Sequence, residues 1–324
     1  MHFSSAMAGK GRTKFNVKRD KQLKGNLLYH LVAFVTVAIW GSTFVFTKML
    51  LQNGLSPAQI FTLRFIIAYL LLLAFALSRH RFRLFSDSLK DEFLMVLLGI
   101  TGGSVYFLAE NAAMLYTTAT NTSLIVCSCP LFAMLLFAIV YRHSEHISKL
   151  QALGSIIACL GMAAVVLNGH FVLHLSPLGD MLAFAACLCW AVYSLLIKYA
   201  SERYSSLFIT RKVFIYGLLT IIPYFILRPS EATIFSSSIF NFQLSIILNL
   251  LFLSVVASML CYIMWNWVIS KLGAVVATNW VYFNPITTII FAWWLLHEQI
   301  TVWFLLGSAL ILIGMYLADK RSSI

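Results

Sequence analysis

The sequence predicts an all-α integral membrane protein whose ten transmembrane helices form two inverted five-helix repeats. Three observations carry that expectation. Of 324 residues, 61% are hydrophobic and only 10% are charged, with a mean hydropathy of +0.89. A soluble chain of this length needs roughly a quarter of its residues charged. Apolar runs long enough to cross about 30 Å of hydrocarbon, roughly 20 residues each, recur ten times. One pattern of residues is also written twice, once in each half of the chain.

The first element, residues 1–26, carries Lys10, Arg12, Lys14, Lys18, Arg19, Lys21 and Lys24 among few apolar residues and reads as a disordered basic cytoplasmic tail. Its GKGRTK run lacks the preceding strand and the spacing of a phosphate loop. The apolar run from Leu27 to Leu51 is too long for the core of a secretory signal and reads as a retained helix. The ten spans lie near 27–51, 57–78, 93–116, 120–141, 150–168, 178–199, 212–227, 243–269, 275–296 and 302–318. This divides the chain into a first repeat over 27–168, a second over 178–318, and a cytoplasmic C-terminus over 319–324.

Orientation follows from the Lys and Arg residues, because short loops rich in them stay cytoplasmic. With ten spans both termini share a side. That side holds the tail, Arg79, Arg81, Arg83, Lys90, Arg142, Lys149, Lys198, Arg203, Arg211, Lys212, Lys271, Lys320 and Arg321, or 20 of the 23 basic residues. The net charge of +12 is therefore an orientation signal with anionic headgroups as its partner, and no nucleic acid is implied. The expected setting is the plasma (inner) membrane, multi-pass, with both termini cytoplasmic. All six cysteines lie inside apolar segments, and Cys127-Ser-Cys129 is too tight for the usual metal spacing. They read as buried small hydrophobes. No disulfide framework, metal or cofactor is expected.

An offset of 150 residues superimposes Ala33-Phe34, Trp40 and Lys48 on Ala183-Phe184, Trp190 and Lys198. Later in each half, Pro130 and Pro285 interrupt an apolar run. Then Glu145-x-Ile147-x6-Gly154-Ser155-x5-Gly161-Met162 is matched by Glu298-x-Ile300-x6-Gly307-Ser308-x5-Gly314-Met315. Five spans per repeat is an odd number, so the second repeat enters from the opposite side. Transporters use this symmetry to alternate access around a site near the midplane.

The stretch WGSTFVFTK in the first span, Pro57 with Arg64 in the second, Pro130, Pro285 and the Glu-x-Ile-x6-Gly pattern closing each repeat resemble the EamA-type branch of the drug/metabolite transporter superfamily. The likeness covers about residues 28–318. It implies an exporter of amino acids or other small metabolites, with a central cavity lined by helices of both repeats. The sequence departs in one place: Pro to Glu is 15 residues in the first half and 13 in the second, which affects the end of the fourth span.

Charges inside hydrocarbon are costly and usually face a cavity or a partner. Arg64 and Glu110 each lie about 10 Å deep from the outer side. They read either as a polar gate or substrate site, or as a structural ion pair. Lys48 sits within a turn of the surface and reads as a snorkelling anchor or a contact for a substrate carboxylate. Asn111 and Asn266, 155 residues apart, need buried partners, either across helices or on a substrate. Tyr106, Tyr262, Asn279 and Tyr282 lie near them in the third, eighth and ninth spans. Trp40 with Thr43, and Trp190 with Tyr193, fall mid-span, where an aromatic belt is not expected. Pro130 and Pro285 remove helix hydrogen bonds and are expected to bend the fourth and ninth spans. The glycines of the third and fifth spans read as close helix contacts.

The pattern leaves little room for other classes. An intramembrane hydrolase needs a nucleophile with His, two Asp, or a zinc set within the bilayer. The eight His lie in the tail, loops or span ends, and no span holds an Asp pair. A channel filter or acidic ring is not visible. A phosphorylated substrate would favour more than one deep Arg. With no ATP-binding module in the sequence, the driving force is a gradient or the membrane potential. The expected partners are a small-molecule substrate and membrane lipids, for a monomer or homodimer.

Overall fold

Hydrocarbon leaves backbone amides no partner but one another, so the chain is expected to form helices wherever it is apolar. The computed structural model describes residues 5–78, 83–117, 119–140, 148–167, 176–232, 244–296 and 302–319, and every regular element among them is helical. These are α1 (Ser5–Gln52), α2 (Pro57–Ser78), α3 (Leu89–Gly99), α4 (Val105–Tyr116), α5 (Ala119–Val126), α6 (Cys129–Val140), α7 (Lys149–Leu167), α8 (Pro177–Ser201), α9 (Ser206–Thr220), α10 (Ile222–Leu227), α11 (Leu244–Leu251), α12 (Cys261–Leu272), α13 (Ala274–Asn279), α14 (Asn284–Leu296) and α15 (Val302–Asp319). Two π segments, Ile100–Ser104 and Phe252–Leu260, join α3 to α4 and α11 to α12, while a 3₁₀ turn, Trp280–Phe283, joins α13 to α14.

Among the described residues, eight helices are long and apolar enough to cross a membrane: Leu27–Gln52, Pro57–Ser78, Leu89–Tyr116, Thr122–Val140, Pro177–Ser201, Ser206–Leu227, Leu244–Leu272 and Ala274–Leu295. The fifth and tenth expected spans correspond to two shorter apolar helices, Lys149–Ala164 and Leu305–Ala318. The chain is a multi-pass membrane protein. Of the repeated motif, Glu145, Ile147, Glu298 and Ile300 lie outside the described residues, as do Arg79, Arg81, Arg142, Lys320 and Arg321.

The structure corrects several expectations. The tail read as disordered is helical from Ser5 into the first span. Lys, Arg, Gln and Ala favour helix, no Pro interrupts them, and extending an existing helix avoids the cost of nucleation. The third span starts earlier than 93 because Ser88 caps it, its side chain accepting from the amide of Asp91 at 3.1 Å. The seventh starts at Ser206, capped by Ser205, so Arg211 and Lys212 are not loop residues but buried within α9.

Pro130 and Pro285 do not bend continuous helices. Each is the second residue of a new one, α6 and α14, where a missing amide costs least. The α1–α2 turn closes as a Schellman motif, with Gly54 at φ 89, its amide bonded to the Leu51 carbonyl at 3.0 Å and the Leu55 amide to the Leu50 carbonyl at 3.3 Å. This is the left-handed conformation that glycine adopts without penalty.

The duplicated glycines have a direct packing role. A Cβ on Gly154 would lie 2.4 Å from the Ala318 amide and 2.6 Å from the Gly314 carbonyl, and one on Gly161 would lie 2.7 Å from the Gly307 carbonyl. Helices α7 and α15 therefore touch backbone to backbone, as small residues allow in membranes. Because neither helix can yield without losing that seam, Gly154→Ala is expected to lower unfolding stability by about 1–3 kcal/mol. Chemical denaturation in detergent micelles, followed by circular dichroism, checks this; an unchanged midpoint would show that the seam is not close-packed.

Candidate functional site

Where α1, α2, α4 and α8 meet the broken spans, buried side chains surround a central cavity. Its free volume of about 30 Å³ holds one or two waters. Seven of the residues singled out from sequence line it: Trp40, Thr43, Arg64, Tyr106, Glu110, Trp190 and Tyr262. The aromatic walls interlock. The Trp40 and Trp190 rings meet edge to face at 5.2 Å, Trp40 packs on Trp265 at 5.1 Å, and Tyr106 on Trp190 at 5.1 Å.

The wall is built from matched positions in the two halves. Trp40 and Trp190 are 150 residues apart, while Phe107 and Tyr262, Val126 and Val281, and Cys129 and Asn284 are each 155 apart, and all eight line the cavity. The π segments make a further matched pair. Widening a helical turn rearranges the carbonyls, and here they receive side chains: Gly102 accepts from the Tyr262 hydroxyl at 2.5 Å. Ala257, again 155 residues on, accepts from the Trp40 indole at 2.9 Å.

Arg64 and Glu110 are both more than nine-tenths buried. The Arg64 Nε donates to the Ser258 hydroxyl, and its guanidinium lies over the Phe107 ring, 4.5 Å from the centroid. Arg64 and Glu110 share the cavity but make no direct ion pair. The Glu110 Oε2 and the Asn284 Oδ1 have no hydrogen-bond partner in the protein. Arg64, Glu110 and Asn284 thus share the wall of a space too small, in this state, for anything beyond water, with the two unpartnered oxygens buried in that wall.

The other candidates stand behind the wall. Asn111 donates to the Pro57 carbonyl at 3.2 Å. Asn266 accepts from the Tyr193 hydroxyl at 2.7 Å and donates to Thr210 at 2.9 Å, so this matched pair of amides ties helices together. Asn279 accepts from Ser155 at 3.2 Å and Tyr282, three residues on, is fully buried; neither lines the cavity. Lys48 does not snorkel outward: its ammonium reaches the Met114 carbonyl at 2.5 Å and the Thr117 carbonyl at 3.4 Å, closing the C-terminal end of α4, where a cation is favoured.

Comparison with known proteins gives the family. The EamA-like transporter family matches the chain twice, over residues 27–167 and 177–318. The chain belongs to the EamA-like transporter family. An uncharacterized transporter of Archaeoglobus fulgidus is 26% identical over 294 residues, 90% of this chain and 97% of its relative. A probable amino-acid metabolite efflux pump of Escherichia coli is 26% identical over 299 residues, 89% and 93% of the two chains. A protein of known crystal structure, 16% identical, superposes with a TM-score of 0.69 over 90% of this chain and 97% of its own; it shares the fold.

Away from the cavity, this EamA-like chain carries a polar cluster that the sequence reading missed. At the start of α3, Asp91 accepts from Arg203 and from the Tyr204 hydroxyl, both at 3.0 Å. Burial pushes the Tyr204 phenol up from its ordinary value, so it stays a donor. Glu92 pairs with Lys212 and Tyr216 and accepts from the Ser86 amide at 2.7 Å. The first-turn acids of α3 thereby clasp α9 and the loop before it, joining the two halves at the end of the molecule opposite Lys48. The available signal was adjacent acids in a chain with only 11 of them.

Lys212 and Glu92 are mostly buried, and removing one partner from such a pair strands the other. Glu92→Gln is expected to destabilise by about 3 kcal/mol or more, with the Glu92→Gln, Lys212→Met double variant recovering most of it. Equal losses in a denaturation double-mutant cycle, with no coupling, would sink this assignment.

Proposed function

We propose that the protein is a secondary exporter of amino acids or closely related amphipathic metabolites. In this reading it works by alternating access between two inverted five-helix repeats. Ten spans and cytoplasmic termini, in the inner membrane, belong to the same proposal. The observation that carries it is the pair of buried opposite charges, Arg64 and Glu110, that face one cavity without bonding each other.

An uncompensated buried charge costs several kcal/mol. A zwitterion answers both: its carboxylate suits Arg64, and its ammonium suits Glu110 Oε2, Asn284 Oδ1 and the faces of Trp40 and Trp190. An apolar side chain is matched by the remaining aromatic wall. Lining residues drawn from matched positions in both halves favour a path shared by two repeats. The name of the Escherichia coli relative points the same way, and the transporter names of the relatives favour a carrier over an enzyme. A free volume of about 30 Å³ is far below that of any amino acid, so substrate entry requires the wall to part on one side at a time.

The test is counterflow of a labelled panel of amino acids, polyamines and monocarboxylates in proteoliposomes. Saturable exchange is expected for zwitterions above the other two classes, reduced at least tenfold by Glu110→Gln and by Trp190→Ala. A folded wild-type protein that exchanges no amino acid removes the substrate class.

A further inference from the structure

A second cavity lies outside the substrate path. It is a crevice of about 280 Å³ between the start of the first span, α13 with its 3₁₀ turn, and α15, and it shares no lining residue with the central cavity. Its walls are mainly apolar, from Leu27, Val276, Leu312 and Met315. Its rim is open sideways, since Leu27 is 71% exposed and Leu312 53%; in a membrane those surfaces face lipid.

Four side chains with polar groups line the crevice, His30, Asn279, Trp280 and Tyr316. The Trp280 indole donates to His30 Nδ1 at 3.2 Å. Asn279 is 95% buried, and with its Oδ1 already held by Ser155, its Nδ2 has no partner in the protein. Their depth is telling. Asn279 is five residues along from Ala274 and His30 three from Leu27, the first residues of their spans, which sets them about 5–8 Å in from the span ends. The spans cross about 30 Å of hydrocarbon, so the orphan donor sits just inside the hydrocarbon boundary, below the lipid ester carbonyls.

We propose that this crevice binds one anionic phospholipid of the cytoplasmic leaflet. An acyl chain lies along the apolar wall, and its ester carbonyl reaches down to Asn279 Nδ2 when the side chains that cover that atom in this structure move aside. The orientation proposed above supplies the leaflet. Charge supplies the headgroup: the same helix that brings Leu27 to the crevice carries seven basic residues in the turns before it, Lys24 within one turn. Lys271 is exposed at the end of α12, just before α13 begins. The bound lipid would bridge the first span to the ninth and tenth. It would also brace the 3₁₀ turn from outside, where Val281, one residue beyond Trp280, lines the substrate cavity.

The experiment uses the full chain, purified in detergent and stripped of lipid, then titrated with dioleoyl phosphatidylglycerol or dioleoyl phosphatidylcholine. Native mass spectrometry counts retained lipid, and a thermal scan reads the unfolding midpoint. One phosphatidylglycerol per chain is expected to be retained at least tenfold more strongly than phosphatidylcholine, with a midpoint raised by several degrees. Leu312→Trp fills the crevice from its exposed rim. Asn279→Asp replaces the donor with an acceptor while keeping the oxygen that Ser155 uses.

Each variant is expected to lose at least tenfold in retention and to lose the lipid-dependent rise; the lipid-free midpoint stays unchanged for Leu312→Trp, while the buried carboxylate of Asn279→Asp lowers it, so Leu312→Trp carries the stability comparison. Retention unaffected by both variants, equal retention of the two lipids, or a dimer mass without lipid would each overturn the proposal. No readout involves transport, so failure of the exporter reading would leave this test intact.

Discussion

Inside hydrocarbon every backbone amide and carbonyl must find a partner within the protein, and this structure is organised by the few places where the α-helix stops supplying one. The third and eighth spans widen into π segments, and the fourth and ninth break before Pro130 and Pro285. The π carbonyls of Gly102 and Ala257 are taken by Tyr262 and Trp40. Those same side chains form the cavity wall. Irregular backbone and the candidate site therefore coincide because each needs the other: the breaks make room for polar groups, and the aromatic donors of the wall make the breaks tolerable.

Charge is handled in two different ways. At the α3–α9 contact, Asp91 and Glu92 are matched by Arg203, Lys212, Tyr204 and Tyr216, so burial is compensated within the protein and the contact is structural. In the central cavity, Arg64 has a hydroxyl and an aromatic ring, and one Glu110 oxygen has nothing. Compensated charge holds helices together, and the pair in the cavity, each facing Tyr106 or a hydroxyl and not the other, is where the proposed substrate would bind.

Most of the fold's plan was legible in the sequence because long apolar runs and a repeated motif are set by lipid thickness and by backbone contact, both of which act on residue type. Trp40 and Trp190 were readable as a matched mid-span pair for the same reason, and they do meet. What was not legible depends on helix rotation and on local departures from α geometry. Asn111 and Asn266 could be read from sequence as bonding either across helices or to a substrate, and only the structure shows the first, toward Pro57 and toward Tyr193 and Thr210. Lys48, read as an anchor in lipid headgroups or a substrate contact, turns inward to carbonyls of a neighbouring helix. Phe107 and Ser258, which flank the Arg64 guanidinium, carry no periodic signal that separates them from other residues of an apolar span. The π segments left no mark that a 3.6-residue pattern would reveal.

The glycine seam between α7 and α15 has a mechanical consequence. Helices separated by side chains can slide or roll as rotamers exchange, but Gly154 and Gly161 press against the Gly314 and Gly307 carbonyls with no side chain between them. The pair behaves as a single stiff beam. If the rest of the bundle rocks to open the cavity to one side and then the other, this beam is the fulcrum, and displacement grows with distance from it. Any such motion is then carried by the elements that do not pack on this seam, and side chains, not backbones, set how far they travel.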